Sequence, residues 1–304
     1  MSQAETTSDT APSVPVPVPR ARNPLWTLGI LRSELTLTLL RWRTLALLGV
    51  LAAVPVLIGI AVRLETGHSA SPGPDGGGGA GGPAFLSQVT NNGLFLVFAA
   101  LAATLPVFLP MAVGVVAGDA VAGEASAGTL RYLLVAPAGR TRLLLTKYAS
   151  VLVFCLLATL VVAVSALVVG VLLFPVGEVT TISGTRIGFG EGLARAGLIA
   201  VIVAASLTGF AAVGLFVSTL TGSGIAAMAA TVGLLITVQI VDGIPQLNAV
   251  HPYLFPHYWM SYADLLRAPL YWDEVVKNLG LQGLYAAVFG SAAWARFTAK
   301  DITA

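Results

Sequence analysis

The residues able to do chemistry are concentrated in one segment. Between Gly118 and Lys147 the chain carries two acids, Asp119 and Glu124, and four bases, Arg131, Arg140, Arg142 and Lys147, in a sequence otherwise poor in charge. Gly128 breaks the chain and Thr129 is a suitable helix N-cap. Leu130, Leu133 and Leu134 follow at spacings of three and four, which makes one short apolar face. Pro137 closes such a helix after about two turns. Recognition, not catalysis, is the chemistry this pattern offers: a short amphipathic helix that docks a peripheral partner. An ordinary solvated loop with the basic residues usual on a cytoplasmic face fits the same residues equally well.

Catalytic constellations are missing. There is no G-x-x-x-x-G-K-[ST], so the chain has no P-loop with which to bind ATP, and no H-E-x-x-H. The Gly-rich stretch from Pro72 to Pro83 lacks the Lys-Ser/Thr of a phosphate loop and reads as a flexible linker. Gly222-Ser223-Gly224 resembles a nucleophile turn but has no histidine to serve as base, and a tight turn between helices explains it better. The three histidines, His68, His251 and His257, make a weak start for a metal site, and the single cysteine, Cys155, excludes an intrachain disulfide. No metal ligand set is expected.

The elements that position the loop are membrane spans. Of the 304 residues, 56% are hydrophobic and 10% charged, where soluble domains carry about 25% charged residues. That composition excludes a soluble enzyme or a nucleic-acid binder. A spanning helix needs about 20 mostly apolar residues, and a charge at its centre is costly, so uncharged gaps locate the spans. They predict six, near 44–62, 94–118, 148–174, 196–218, 225–241 and 279–295, within a single transmembrane domain over residues 25–304. Eleven of the sixteen basic residues fall in the N-terminus, the 119–147 loop and the C-terminus, which places both termini in the cytoplasm. The expected fold is an all-α, multi-pass integral protein of the cell membrane.

Residues 1–24 read as a disordered cytoplasmic tail with a Val-Pro repeat. Leu28, Leu31, Leu35 and Leu39 predict a helix over 25–43, either lying in the headgroup region or extending the first span. Trp26, Trp42, Trp259, Trp272 and Trp294 fall near predicted interfaces and suit belt anchoring. Gly114 and Gly118 form a G-x-x-x-G that permits close helix packing. Inside the spans the polar residues are few, Gln239 and Gln282, and no charge sits at a span centre. Ion-coupled transporters usually mark their path with such charges.

The loop resembles that of the ABC-2-type transporter permease family. The resemblance rests on Asp119, Glu124, Gly128-Thr129-Leu130, Leu133-Leu134, Pro137, Arg140 and Lys147, and on the ending Phe297, Lys300, Asp301, Ile302. Ala138-Gly139 departs from the residues usual after that proline. The resemblance implies the membrane subunit of an ATP-driven exporter, not itself an enzyme. It binds no cofactor, ATP and Mg being held by a separate ABC ATPase subunit. It also implies a second permease chain and a coupling helix in the loop that receives the ATPase's motion. Asp119, Glu124, Gly128, Thr129, Leu130, Arg131, Leu133, Leu134, Pro137 and Arg140 are then the coupling residues. Residues 243–278, rich in Pro and aromatics, take the place of the family's external re-entrant element and are expected to be interfacial. Charge-free spans suit a lipophilic substrate. The alternative is a structural or sensory membrane subunit that transports nothing.

Overall fold

The computed structural model describes residues 24–68, 89–128, 139–177, 179–180, 185–267 and 269–299. The expected tail and the external Gly-rich linker lie outside them. Helix α1 (Pro24–Leu39) is followed, after a break at 40–41, by α2 (Trp42–His68). Then come α3 (Phe95–Thr104), α4 (Phe108–Ser126) and α5 (Arg140–Leu173). A two-stranded antiparallel hairpin, β1 (Val179–Thr180) and β2 (Arg186–Ile187), is a small addition to the all-α expectation. Helices α6 (Phe189–Ser206), α7 (Thr208–Leu220) and α8 (Gly224–Asp242) follow. Three 3₁₀ segments (Pro245–Leu247, His251–Tyr253, Trp259–Leu266) then lead to α9 (Asp273–Ala299).

Among the described residues, five stretches are long and apolar enough to cross a membrane: Trp42–Glu65, Phe108–Ser126, Arg140–Leu173, Phe189–Leu220 and Gly224–Asp242. The chain is a mostly helical protein of membrane-embedded character. Helix α9 covers the expected sixth span and is 27 residues long. Asn278, Gln282 and many weakly apolar small residues keep it out of the set.

The second span departs from expectation. Residues 94–118 are not one helix: α3 stops at Thr104 and α4 begins at Phe108. Pro106 has no N–H to continue the ladder, and the backbone leaves helical geometry at Val107 (φ −127°, ψ −60°). The Gln239 amide of α8 donates to the Pro106 carbonyl, so this intramembrane break is not left unsatisfied. A second break, at Leu207, separates α6 from α7. There the Tyr148 hydroxyl donates to the Thr208 carbonyl (3.0 Å), and Asn278 of α9 donates to Ser206 Oγ (2.6 Å). Gln282 donates to the Phe255 carbonyl (2.8 Å). The few polar side chains of the spans thus stitch helix breaks together. Gln282 Oε1 and Trp259 Nε1 are buried with no hydrogen-bond partner among the described residues.

The segment after α8 is indeed broken into short pieces, and its aromatics divide: Tyr253 is exposed while Phe255, Trp259 and Tyr262 turn into the core. Phe255, Trp259, Tyr262, Leu265 and Leu266 are buried. Phe255 stacks on Phe210 of α7 at 5.2 Å between centroids, and Trp259 meets both rings. Their partners are core residues, so Trp259 is not a belt anchor. Trp42 and Trp294 are exposed, as a belt position requires.

Two glycine pairs set close helix approaches. Gly93, before α3, lies backbone to backbone against Gly170 of α5, and a Cβ on either would strike the other's carbonyl. The Gly93 amide also donates to the Pro175 carbonyl (3.0 Å), and the Asn92 amide to the Gly177 carbonyl (3.1 Å). Within the G-x-x-x-G, Gly118 meets the backbone of α8 at Met228, and Gly114 faces Phe210 and Thr231. The motif therefore serves packing between helices of this chain.

Candidate functional site

Helices α1, α4 and α5 meet at one end of the bundle, and their charges meet with them. Lys147, in the second turn of α5, has a side chain only 3% exposed, and an ammonium so buried requires counter-charges. It has two. Its Nζ lies 2.5 Å from Glu124 Oε1 of α4 and 3.4 Å from Glu34 Oε2 of α1. Arg41, in the break between α1 and α2, donates to Asp119 Oδ2 at 2.8 Å. The four helices α1, α2, α4 and α5 are thus tied by alternating charges around a cleft that Thr38, Thr44, Ser150 and Met228 also line.

The backbone around this network is shaped to match. Ser218 of α7 inserts its hydroxyl into the ladder of α4, accepting from Val121 N (3.0 Å) and Ala122 N (2.9 Å) and donating to the Gly118 carbonyl (2.6 Å). Such an insertion bends or fixes a helix locally. The Asp119 carboxylate lies over Gly123 and Gly224, where any side chain would displace it. Gly222-Ser223-Gly224 is the interhelical turn, with Ser223 Oγ capping α8 by accepting from Ala226 N (3.4 Å).

The C-terminal helix closes the same end. Arg140 donates to the Thr298 carbonyl (2.8 Å), and Trp294 Nε1 donates to Thr141 Oγ1 (2.9 Å). Phe297 is buried with Val121, Leu143, Leu144 and Leu215. Gly128 and Gly139, with φ of +71° and +75°, turn the chain at either side of the intervening loop. Those angles suit glycine and strain other residues.

Of the sequence-derived site, Asp119, Glu124, Gly128 and Arg140 are described; Asp119 and Glu124 enter the network, and Gly128 and Arg140 flank the loop. Thr129, Leu130, Arg131, Leu133, Leu134 and Pro137, and with them the expected short helix, lie outside the described residues. So do Lys300, Asp301 and Ile302. Glu124 could serve a partner chain or this one, and its contact is with Lys147 of this one. Sequence reasoning missed Glu34 and Arg41. Their partners lie 113 and 78 residues away along the chain. A charge on the core side of an apolar stripe was the available signal for Glu34.

The network end is also where the bases gather. Helix α8 begins there, at Gly224 beside Asp119, and ends at Asp242, at the opposite end of the bundle. Arg63 donates to the Leu173 carbonyl (2.5 Å), and Arg195 to the Arg267 carbonyl (3.0 Å) and to Glu191 (2.8 Å), away from the network.

No curated protein matches the sequence. A family model does, over residues 82–303, a segment that takes in Asp119, Glu124, Lys147 and Arg140 and leaves out Glu34 and Arg41. By that match over most of its length, the chain belongs to the family described as protein of unknown function (DUF2705).

Proposed function

We propose that the chain is the membrane-spanning permease subunit of an ATP-driven exporter of the ABC-2 type, set in a cell membrane with both termini cytoplasmic. In this reading α9 is the sixth span. The ATPase is a separate chain that holds ATP and Mg, and two permease chains together enclose the path of a lipophilic substrate.

One observation carries the reading. The 127–139 loop springs from a base that is locked on both sides: Glu124 and Asp119 bind α4 to α5, α1 and the start of α2, and Arg140 binds α5 to α9. A force applied between α4 and α5 reaches those two helices and, through these contacts, α1, α2 and α9, which suits a coupling element and is more than a passive connection needs. The gathering of bases at this end supports a cytoplasmic placement.

The test is co-purification. The chain is expressed with candidate ABC ATPase subunits and compared with Leu133→Asp, a change between α4 and α5 and not in the charged network. The variant is expected to insert normally, to lose ATPase association and to lose substrate-stimulated hydrolysis in proteoliposomes. Wild-type association and stimulation by Leu133→Asp would overturn the coupling role. Tight ATP binding by the lone purified chain, measured by calorimetry, would overturn the assignment itself.

A further inference from the structure

Two of the chain's three histidines converge at the end of the bundle opposite the charged network. Asp242 is the last residue of α8, His251 opens the second 3₁₀ segment and His257 lies six positions on. One ring nitrogen from each histidine and one carboxylate oxygen of Asp242 all lie within 4.8 Å of one another. His257 Nδ1 is 2.9 Å from Asp242 Oδ1, and the two imidazole centroids are 5.8 Å apart.

From this geometry we propose that Asp242, His251 and His257 form a binding site for a divalent transition-metal ion of the zinc class. Two imidazoles and a carboxylate are borderline ligands that suit Zn²⁺, and three protein ligands leave a fourth tetrahedral position for water. Ligands about 2.0–2.1 Å from one ion stand roughly 3.4 Å apart in a tetrahedron, so an ion would spread the His257–Asp242 pair from 2.9 Å and draw in any contact that now reaches toward 4.8 Å. The ion would replace the direct contact between His257 Nδ1 and Asp242 Oδ1.

The surroundings favour a cation. Asp242 ends a helix, and the C-terminal end of a helix carries partial negative charge. Both rings are already oriented. His251 Nε2 lies 3.1 Å from the Ile244 carbonyl, which can only accept, and this contact orients the ring. A ring N–H on a backbone carbonyl is the usual outer-shell partner of a metal-binding histidine. The face of His257 is fixed by an edge contact with Tyr258 at 4.8 Å. The backbone beneath is rigid: Pro252 follows His251, Pro256 precedes His257, and Phe255 and Trp259 root the segment in the core. The Tyr285 hydroxyl of α9 donates to the Tyr253 carbonyl at 2.9 Å. The ion would therefore clamp the end of α8 to the segment that leads into α9. This inference is independent of the transport reading.

The probe is ZnCl₂, titrated calorimetrically into the full-length, chelator-treated chain in detergent at near-neutral pH, with no polyhistidine tag. One ion per chain is expected. His251→Ala combined with His257→Ala should weaken binding by more than about 100-fold, beyond the ~10–100-fold that loss of an outer-shell partner causes. Asp242→Asn keeps a hydrogen-bond acceptor for His257, so its metal-free fold is expected to be intact while its affinity falls. Zn²⁺ should raise the melting temperature of the wild type and leave that of the double variant unchanged. X-ray absorption at the zinc edge should carry imidazole scattering. No binding by the wild type, equal binding by the double variant, or a spectrum without imidazole would each overturn the site.

Discussion

Lys147 faces two carboxylates, and the asymmetry of that arrangement decides what each substitution does. Removing one acid leaves the ammonium with the other. Removing the ammonium leaves Glu34 and Glu124 facing each other with little access to water. Breaking a buried pair by deleting one partner costs about 3–5 kcal/mol. Lys147→Met is expected at or above that range. Glu124→Gln, at the shorter contact, should cost more than Glu34→Gln, and both less than Lys147→Met. Melting of the three variants in one detergent checks the order. A Lys147→Met protein as stable as Glu34→Gln would mean that the network does not hold the helices together. Arg41→Ala should cost about 1 kcal/mol or less, since Arg41 is 49% exposed and its pair is screened.

At the scale of elements, uncharged gaps in the sequence located the long helices because charge is what the membrane interior excludes. Helix α5 begins at Arg140, eight residues before its expected span, because polar first turns can stand outside the hydrocarbon. Uncharged gaps do not reveal the break at Pro106, which has no charge on either side, or the one at Leu207, which carries no proline and rests on Ser206, Asn278 and Tyr148 from three helices. The charged network was half legible. Asp119, Glu124 and Lys147 stood out as charges in an apolar chain, while Glu34 and Arg41 needed contacts no local pattern encodes. Of the aromatics of 253–266, Phe255, Trp259 and Tyr262 turn inward while Tyr253 stays exposed, and composition does not say which face a ring turns to. The Gly93–Gly170 contact gives a test at this scale. Gly170→Ala forces a methyl into a backbone carbonyl, and overpacking of that kind costs about 1–3 kcal/mol. The same change at Gly197, where nothing lies within 4 Å, should be neutral or slightly stabilising. Equal melting of the two variants would remove the close approach of α3 and α5.

For the whole molecule, orientation follows from which charges share an end. With Cys155 buried, a thiol-reactive, membrane-impermeant reagent should ignore the native chain in intact cells. A cysteine at Asn248 is expected to react and one at Gly139 to be protected; labelling at Gly139 would invert the topology. The bundle also shows apolar side chains outward, Leu57 and Ile240 among them, at 66% and 60% exposure. Bilayer or a second copy of the chain would cover such faces. On the transport reading proposed above, cross-linking in membranes is expected to trap two copies of the chain per assembly, and persistent recovery of single copies beside an ATPase would count against a shared path.

Helix α5 has the mechanics of a lever. Its Gly170 is pinned against Gly93 by direct backbone contact, while Arg140 and Lys147 sit about 45 Å and 35 Å away along the same rod at 1.5 Å per residue. Two backbones locked in this way resist sliding but permit rotation about the point of contact. A displacement of a few ångströms at the loop end is therefore converted into a tilt of a few degrees. The fulcrum itself stays in place, and the wedge between α5 and its neighbours widens in proportion to the distance from it.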